Sequence, residues 1–391
     1  MSILLDIVFS LIFLMMAYSV KNLYAFNVGE KKLISVIFVF HTLICFVATP
    51  ILFNGGDAKA YWMVPKELSF EELWLMVEMN PRPTEIMYLI NYIFANIFAL
   101  SFTTGMLLYS FLGMWGFVLI LATVKSFIPD LRVLRGFKIY GIPVYPLVFL
   151  LPNTHFWSVG IGKDTLLFFA VSLFIYSLLA LSKRFISMVV AVAIAYFLRP
   201  HVLLFMVAGF ALPYVFSPRF NIIQKVLMGG AMLALFFPLL NSVLAFAKID
   251  QLSTEHLESF HESKAAALSV AGSGIDLSAL PYPLKVLTFL FRPLFFDAHN
   301  VLAVVASIEN LIQLFLVLFL LKNRFVRFLR KADFIVKGSF FYYMIGAIAF
   351  APMMSNLGII IREKNMLMPG FLIFVLTAIQ FKRQQRYKYG R

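Results

Sequence analysis

Apolar runs of about 15 to 22 residues recur along the whole chain, separated by short stretches in which the charges collect. Within a run the apolar positions neither alternate nor follow a one-sided stripe; they surround the axis. Such runs predict helices embedded in lipid or among similar helices. A closed β-barrel would place a polar residue at every second position. Helices and closed barrels are the two structures that satisfy the backbone without water, so a helical bundle follows. Spans are expected near 3–20, 33–53, 104–124, 142–157, 165–181, 186–199, 202–216, 226–246, 301–321, 340–358 and 367–381, eleven in all. The expected fold is all-α, a polytopic transmembrane helical bundle forming a single integral membrane domain over residues 1–391. The segment Thr84–Leu100 is apolar, yet both its neighbours fall on one side, and it carries Asn91 and Asn96. It reads as an outer helix, interfacial or re-entrant; the alternative is a twelfth span.

Composition agrees with this pattern. The chain is 62% hydrophobic and 13% charged, with a mean hydropathy of +0.90, whereas a soluble domain carries about 25% charged residues. The net charge of +14 is a matter of topology rather than of nucleic acid. The tail KRQQRYKYGR is basic without an acid, so the positive-inside rule places it in the cytoplasm. With eleven spans the N-terminus lies outside. The inner segments then hold 22 of the 33 Lys and Arg with three acids, and the outer segments 11 with 14 acids. Residues Ser2–Val20 lack a basic leader and a cleavage site, and read as a first span rather than a removed signal peptide. The single cysteine, Cys45, excludes an intrachain disulfide.

Ionisable residues at membrane level are costly and point to function. Here they recur at span ends on the outer side: Asp57 in NGGDAKAYW, His155, Lys163 and Asp164 in LPNTHFWSVGIGKD, and Arg199 and His201 in FLRPH. Further along come Arg292, Asp297 and His299 in FLFRPLFFDAHN, then Glu309 inside a span, and Arg362 and Glu363 in IIIREKNMLMP, expected as a hairpin. Each has a structural alternative: a solvated loop acid, an interface anchor, or an arginine snorkelling to headgroups. Together they suit chemistry on a phosphate, because Arg and Lys clamp phosphate by charge-assisted hydrogen bonds, and a nearby carboxylate can act as general base. There is no phosphate loop, HExxH or GxSxG, and GSG at 272–274 is a flexible loop. His256 and His261 in EHLESFHE are five residues apart, more in keeping with a solvated helix face than with a metal site. No metal is expected, with a divalent cation the minor alternative.

The stretch GGDAKAYW, followed by TEIMYLINYIF with Glu85, Leu89 and Asn91, resembles the start of bacterial exopolysaccharide or O-antigen polymerases of the EpsG and Wzy type. The wider architecture is similar to the C superfamily of membrane glycosyltransferases, so a GT-C-like bundle is implied. The resemblance implies a polyprenyl-(di)phosphate-linked saccharide donor outside a bacterial cytoplasmic membrane, with Asp57 as base and the outer arginines on the phosphate. The chain lacks a second acid immediately beside Asp57, and the long Arg-rich outer loop of some O-antigen polymerases.

The expected function is therefore glycosyl transfer or polysaccharide polymerisation at the extracytoplasmic face. Asp57 would be the base, Lys163, Arg199, Arg292 and Arg362 would bind the (di)phosphate, and His201 and His299 would orient it. His155, Asp164, Asp297 and Glu309 are secondary candidates. The partners would be the lipid-linked saccharide, membrane lipids and other polysaccharide-assembly proteins, not nucleic acid. A transporter or flippase of lipid-linked oligosaccharide is the alternative from another class, and a non-catalytic assembly subunit a third.

Overall fold

A computed structural model of the chain describes residues 2–79, 81–139, 141–247, 274–275, 277, 280–298 and 300–389. Regular structure among them is helical, apart from a short antiparallel pair, β1 (Lys138–Ile139) with β2 (Ile142–Pro143). Among the described residues, six helices are long and apolar enough to cross a bilayer: Ile3–Leu23, Val28–Asn54, Phe102–Phe127, Lys163–Lys183, Ile222–Asn241 and Val301–Lys322. The chain is a multi-pass membrane protein. Four shorter apolar helices accompany the six: Phe185–Leu198, Pro200–Val215, Tyr282–Phe291 and Phe334–Phe350.

The chain divides into two compact units, Met1–Arg135 with Tyr145–Arg199, and Gly136–Val144 with Pro200–Arg391. The first contains α1 (Ser2–Ser19), α2 (Val28–Asn54), α3 (Ala58–Glu67), α4 (Phe70–Met79), α5 (Pro83–Tyr92) and α6 (Phe102–Phe127). The four-residue α7 (Val144–Leu147) straddles the division, with Tyr145 extended. α8 (Pro152–Val159), α9 (Lys163–Ser177) and α10 (Phe185–Leu198) complete the first unit.

α6 is the axis of the first unit, with α1, α2, α8 and α9 packed around it. Small residues allow that approach. A Cβ on Gly113 would lie 1.8 Å from the Ser158 carbonyl oxygen, so only glycine lets α6 meet α8 there. The membrane-level acid Asp6 is explained locally: its Oδ1 accepts from the Ser101 N–H at 2.7 Å and the Thr104 hydroxyl at 2.6 Å. Those are groups of the first turn of α6, which has no intrahelical partner for its N–H groups. Ser101 itself caps that turn. On α2, Asn27 and Glu30 form a reciprocal capping box, and Glu30 also pairs with Lys125 of α6.

The second unit holds α11 (Pro200–Val215), α12 (Ile222–Ala247), α13 (Tyr282–Phe291), α14 (Val301–Lys322), α15 (Phe325–Lys331), α16 (Phe334–Phe350) and α17 (Leu357–Tyr389). α16 lies between α11 and α17. The contact with α11 is reciprocal: Gly209 faces the Tyr342 backbone, and Gly338 faces the Phe210 ring. Tyr342 donates from its hydroxyl to the Met366 carbonyl at 2.9 Å and ties α16 to α17.

Two sequence expectations change. The span expected at 142–157 is not one helix. β2, α7 and α8 succeed one another there, because Pro146 and Pro152 cannot donate to a helical ladder and residues before proline favour extended backbone. The hairpin expected within IIIREKNMLMP is instead helix, since α17 runs unbroken from Leu357 through Pro369. The turn lies earlier, at 351–356, where the Asn356 side chain accepts from the Ile359 N–H. The segment Thr84–Leu100, expected as an outer helix with a twelfth span as the alternative, forms most of α5 and a π-helical turn, Ile93–Ile97.

Candidate functional site

In the first unit, chemistry-bearing side chains meet around one aromatic pair. α2 ends at Asn54, and Gly55 and Gly56 turn the chain. Gly56 has φ +82°, a conformation that glycine adopts without strain. Asp57 follows as the exposed cap residue of α3. α3 is held in place by the asparagines that look odd in the sequence. Asn91 donates to the Tyr61 carbonyl at 3.0 Å and accepts from the Tyr109 hydroxyl at 2.9 Å. Asn96 donates to the Pro65 carbonyl at 2.8 Å, and the buried Trp62 indole to the Leu100 carbonyl at 3.1 Å. α3 is thereby fixed on α5, and the Tyr61 and Tyr88 rings lie 6.2 Å apart.

The cation side comes from α9. Gly160–Gly162 turn the chain out of α8, and the Thr165 hydroxyl closes that turn onto the Gly160 carbonyl at 2.7 Å. Lys163 opens α9. Its ammonium donates to the Thr84 hydroxyl at 3.2 Å and stands 5.4 Å from the centre of the Tyr61 ring. Asp164, buried in the first turn of α9, pairs with Arg199 at the end of α10 at 3.2 Å.

Carboxylates complete the group. Glu85 follows Thr84 on α5, and its Oε2 is buried with no hydrogen-bond partner among the described residues. The Tyr88 phenol is held above its ordinary pKa by burial first, and then by the negative charges of Glu85 and Asp57. Both acids therefore act on Tyr88, while Lys163 flanks its partner Tyr61. The cluster offers two cations, three carboxylates, a hydroxyl and two phenols at the ends of α3, α5, α9 and α10.

His155 is elsewhere in this unit. It is buried in α8, with Nδ1 2.7 Å from Nδ1 of His41 on α2.

The remaining sequence candidates lie in the second unit. His201, in the first turn of α11, packs against the Phe205 and Phe350 rings at 5.9 and 5.7 Å. Arg292 meets Asp297 in a two-pronged pair at 3.1 and 2.5 Å, and Asp297 also accepts from the Leu294 N–H at 2.8 Å. Burial alone would raise the Asp297 carboxyl; the guanidinium and the Leu294 N–H outweigh it and hold it below the ordinary value. Glu309 is buried on α14 beside Asn310. Lys364 of α17 is fully buried, donates to Asn310 Oδ1 at 2.5 Å and to the Leu290 carbonyl at 3.0 Å, and is attracted by Glu309. Asn310 in turn donates to the Pro293 carbonyl at 2.8 Å. Arg362 lies half-buried within α17, not in a loop. His299, His256, His261 and the Gly272–Ser273 part of GSG lie outside the described residues.

The sequence reading gave no role to Thr84, Glu85, His41, Asn310 or Lys364. A signal existed for two of them. Glu85 stands in the stretch that carries the family resemblance, and Lys364 is a cation beside a long apolar run. His41 has none, being one histidine in an apolar helix. Among the described residues no three His, Cys, Asp or Glu side chains gather as a metal site. No protein-family model, curated protein or solved structure matches the chain.

Proposed function

We propose that the first-unit cluster transfers a glycosyl group from a polyprenyl-(di)phosphate-linked donor to an acceptor hydroxyl at the outer face of a bacterial cytoplasmic membrane. The single observation that carries this reading is the Lys163 ammonium, which stands over the Tyr61 ring of the Tyr61–Tyr88 pair and donates to Thr84, the neighbour of Glu85 on α5, while Asp57 caps the helix that bears Tyr61. Aromatic rings suit a sugar face, a cation suits the departing phosphate, and an exposed acid suits the acceptor. Asp57 takes the proton as the acceptor oxygen bonds to the anomeric carbon, and the bond from that carbon to the phosphate oxygen breaks. The electron pair leaves with the phosphate, which already bears charge. Lys163 compensates that charge in the transition state, and Arg199, positioned by Asp164, adds to it.

The topology proposed with this function is eleven crossings in a GT-C-like bundle, the one at 142–157 not being a continuous helix, with the N-terminus outside and the basic tail inside. It rests on the charge bias, and a reporter fused after Arg391 would test it. Activity of that reporter outside the cytoplasm would reverse the face.

The enzymatic reading is tested in membranes supplied with a polyprenyl-linked saccharide. Asp57→Asn keeps the size of the side chain and removes the basic oxygen, so glycan product should fall by about 100-fold or more at unchanged protein level. Undiminished product would remove Asp57 as base.

A second reading, a transporter or flippase of lipid-linked oligosaccharide, is favoured by one observation: Glu309 and Lys364 are buried charges on long apolar helices, where transport sites sit. Translocation of labelled lipid-linked saccharide without new glycosidic bonds would select it.

A further inference from the structure

His41 and His155 meet inside the first unit in an arrangement that determines how many protons they carry. The two Nδ1 atoms are 2.7 Å apart. His41 Nε2 lies 3.0 Å from the Ser110 carbonyl oxygen, and His155 Nε2 lies 2.9 Å from that of Phe149. A carbonyl oxygen only accepts, so both Nε2 atoms must carry hydrogen. A neutral imidazole has one N–H. If both rings were neutral, two bare Nδ1 lone pairs would face each other at 2.7 Å and repel. One added proton turns that contact into a charge-assisted hydrogen bond of ordinary length.

We propose that the pair binds one shared proton, as an imidazole–imidazolium unit with three hydrogens on four ring nitrogens. Burial opposes a charge here, and the aromatic contacts and the short Nδ1–Nδ1 approach offset that cost. The Phe117 ring is stacked on His155 at 4.3 Å and 14°, which attracts a cation through the ring face. Phe40 meets His155 edge-on at 4.9 Å. Both rings are buried, with His41 1% exposed and His155 fully enclosed, so water does not stand in for the missing proton. Around the pair, α2 contributes the Cys45 thiol one turn from His41, and α6 and α8 contribute Ser110, Phe117, Thr154 and Ser158, none of them charged. A metal ion bound tetrahedrally at about 2.0 Å from each nitrogen would hold them roughly 3.3 Å apart, wider than the observed 2.7 Å.

The shared proton also has a mechanical consequence. It joins α2, which ends just ahead of Asp57, to α8, which ends just ahead of Lys163. One hydrogen bond thus links the helices that lead into the two arms of the proposed site. This consequence rests on the proposed function; the proton count does not, and the test addresses the count alone.

The full chain, labelled with 15N at histidine and purified in detergent, is read by NMR. The expected result is one strongly downfield proton coupled to two ring nitrogens, lost in both His41→Leu and His155→Leu. Two bare Nδ1 signals with no bridging proton in the wild-type chain would overturn the proposal, as would a stoichiometric metal ion in the purified protein.

Stability gives a second readout that remains if the variants fold poorly. Unfolded, the two histidines hold four hydrogens below about pH 6.5 and two above it; folded, the pair holds three. Folding through the pair should therefore gain tenfold in equilibrium constant per pH unit up to about 6.5, then lose tenfold per unit above it, until the shared proton itself leaves. The comparison is with the His41→Leu/His155→Leu double variant, or with the His41→Gln/His155→Gln double variant where the leucine pair folds poorly. A pair contribution that stays flat above pH 6.5 would mean two neutral rings, and would refute the shared proton.

Discussion

Gly113→Ala adds a single methyl group at the closest helix contact in the first unit. Its Cβ would lie 1.8 Å from the Ser158 carbonyl oxygen, 2.9 Å from its carbon and 3.1 Å from His41 Nε2. Ordinary contact begins near 3.4 Å, so α6 and α8 must separate locally by roughly 1.5 Å in an interior packed at crystal-like density. The obstacle is backbone within a helix and cannot rotate away as a side chain could. Overpacking of this kind costs about 1–3 kcal/mol, and the rigidity of the carbonyl places the expected loss at the upper end. Gly230→Ala in α12 is the control. Nothing lies within 4 Å of its Cβ, and replacing a mid-helix glycine should stabilise by about 0.5–1 kcal/mol. Both variants are compared by reversible unfolding in mixed micelles. If Gly113→Ala unfolds at the same denaturant fraction as Gly230→Ala, the close approach of α6 and α8 is refuted.

In the second unit, Lys364→Met removes the ammonium that Glu309 attracts and leaves that carboxylate buried, at an expected cost of about 3–5 kcal/mol. The Lys364→Met/Glu309→Leu double variant removes both charges and should lose less than the single variant; a double variant as unstable as the sum of the two singles would dissolve the pair. The acid limb of stability tests Arg292 and Asp297. The folded Asp297 carboxyl lies below its unfolded value of about 3.9, so its contribution is present above that value and is lost as pH falls through the folded one. Arg292→Gln removes that contribution, so it should be less stable than wild type above about pH 3.9, with the gap closing as pH falls through the folded value; a gap that stays constant down the acid limb would show that the ion pair does not hold Asp297 down.

Membrane character was legible because the run lengths of apolar residues respond to bilayer thickness, a one-dimensional constraint. The break between α10 and α11 at Arg199–Pro200 was legible for a similar reason, with proline closing one helix and opening the next. Helix ends inside continuous apolar stretches were not. The turn of the last hairpin lies at 351–356 rather than among Arg362, Glu363 and Lys364; the Lys364 ammonium is met by Asn310 and the Leu290 carbonyl inside the second unit instead of by water. Hydropathy does not record such partners.

The same division runs through the candidate site. Asp57, Lys163, Asp164 and Arg199 stood out as charges at span ends, and sequence alone named them. That Lys163 reaches Thr84, that Asp164 meets Arg199, and that Glu85 and Asp57 both act on Tyr88 depends on how α3, α5, α9 and α10 pack. His41 and His155 show the limit most plainly. They are 114 residues apart, and no periodicity or motif links them. Sequence determined that each is a lone histidine among apolar neighbours. Tertiary structure decided that their Nδ1 atoms meet while both Nε2 atoms face carbonyls, since hydrogen-bond direction is a property of three-dimensional placement and not of spacing along the chain.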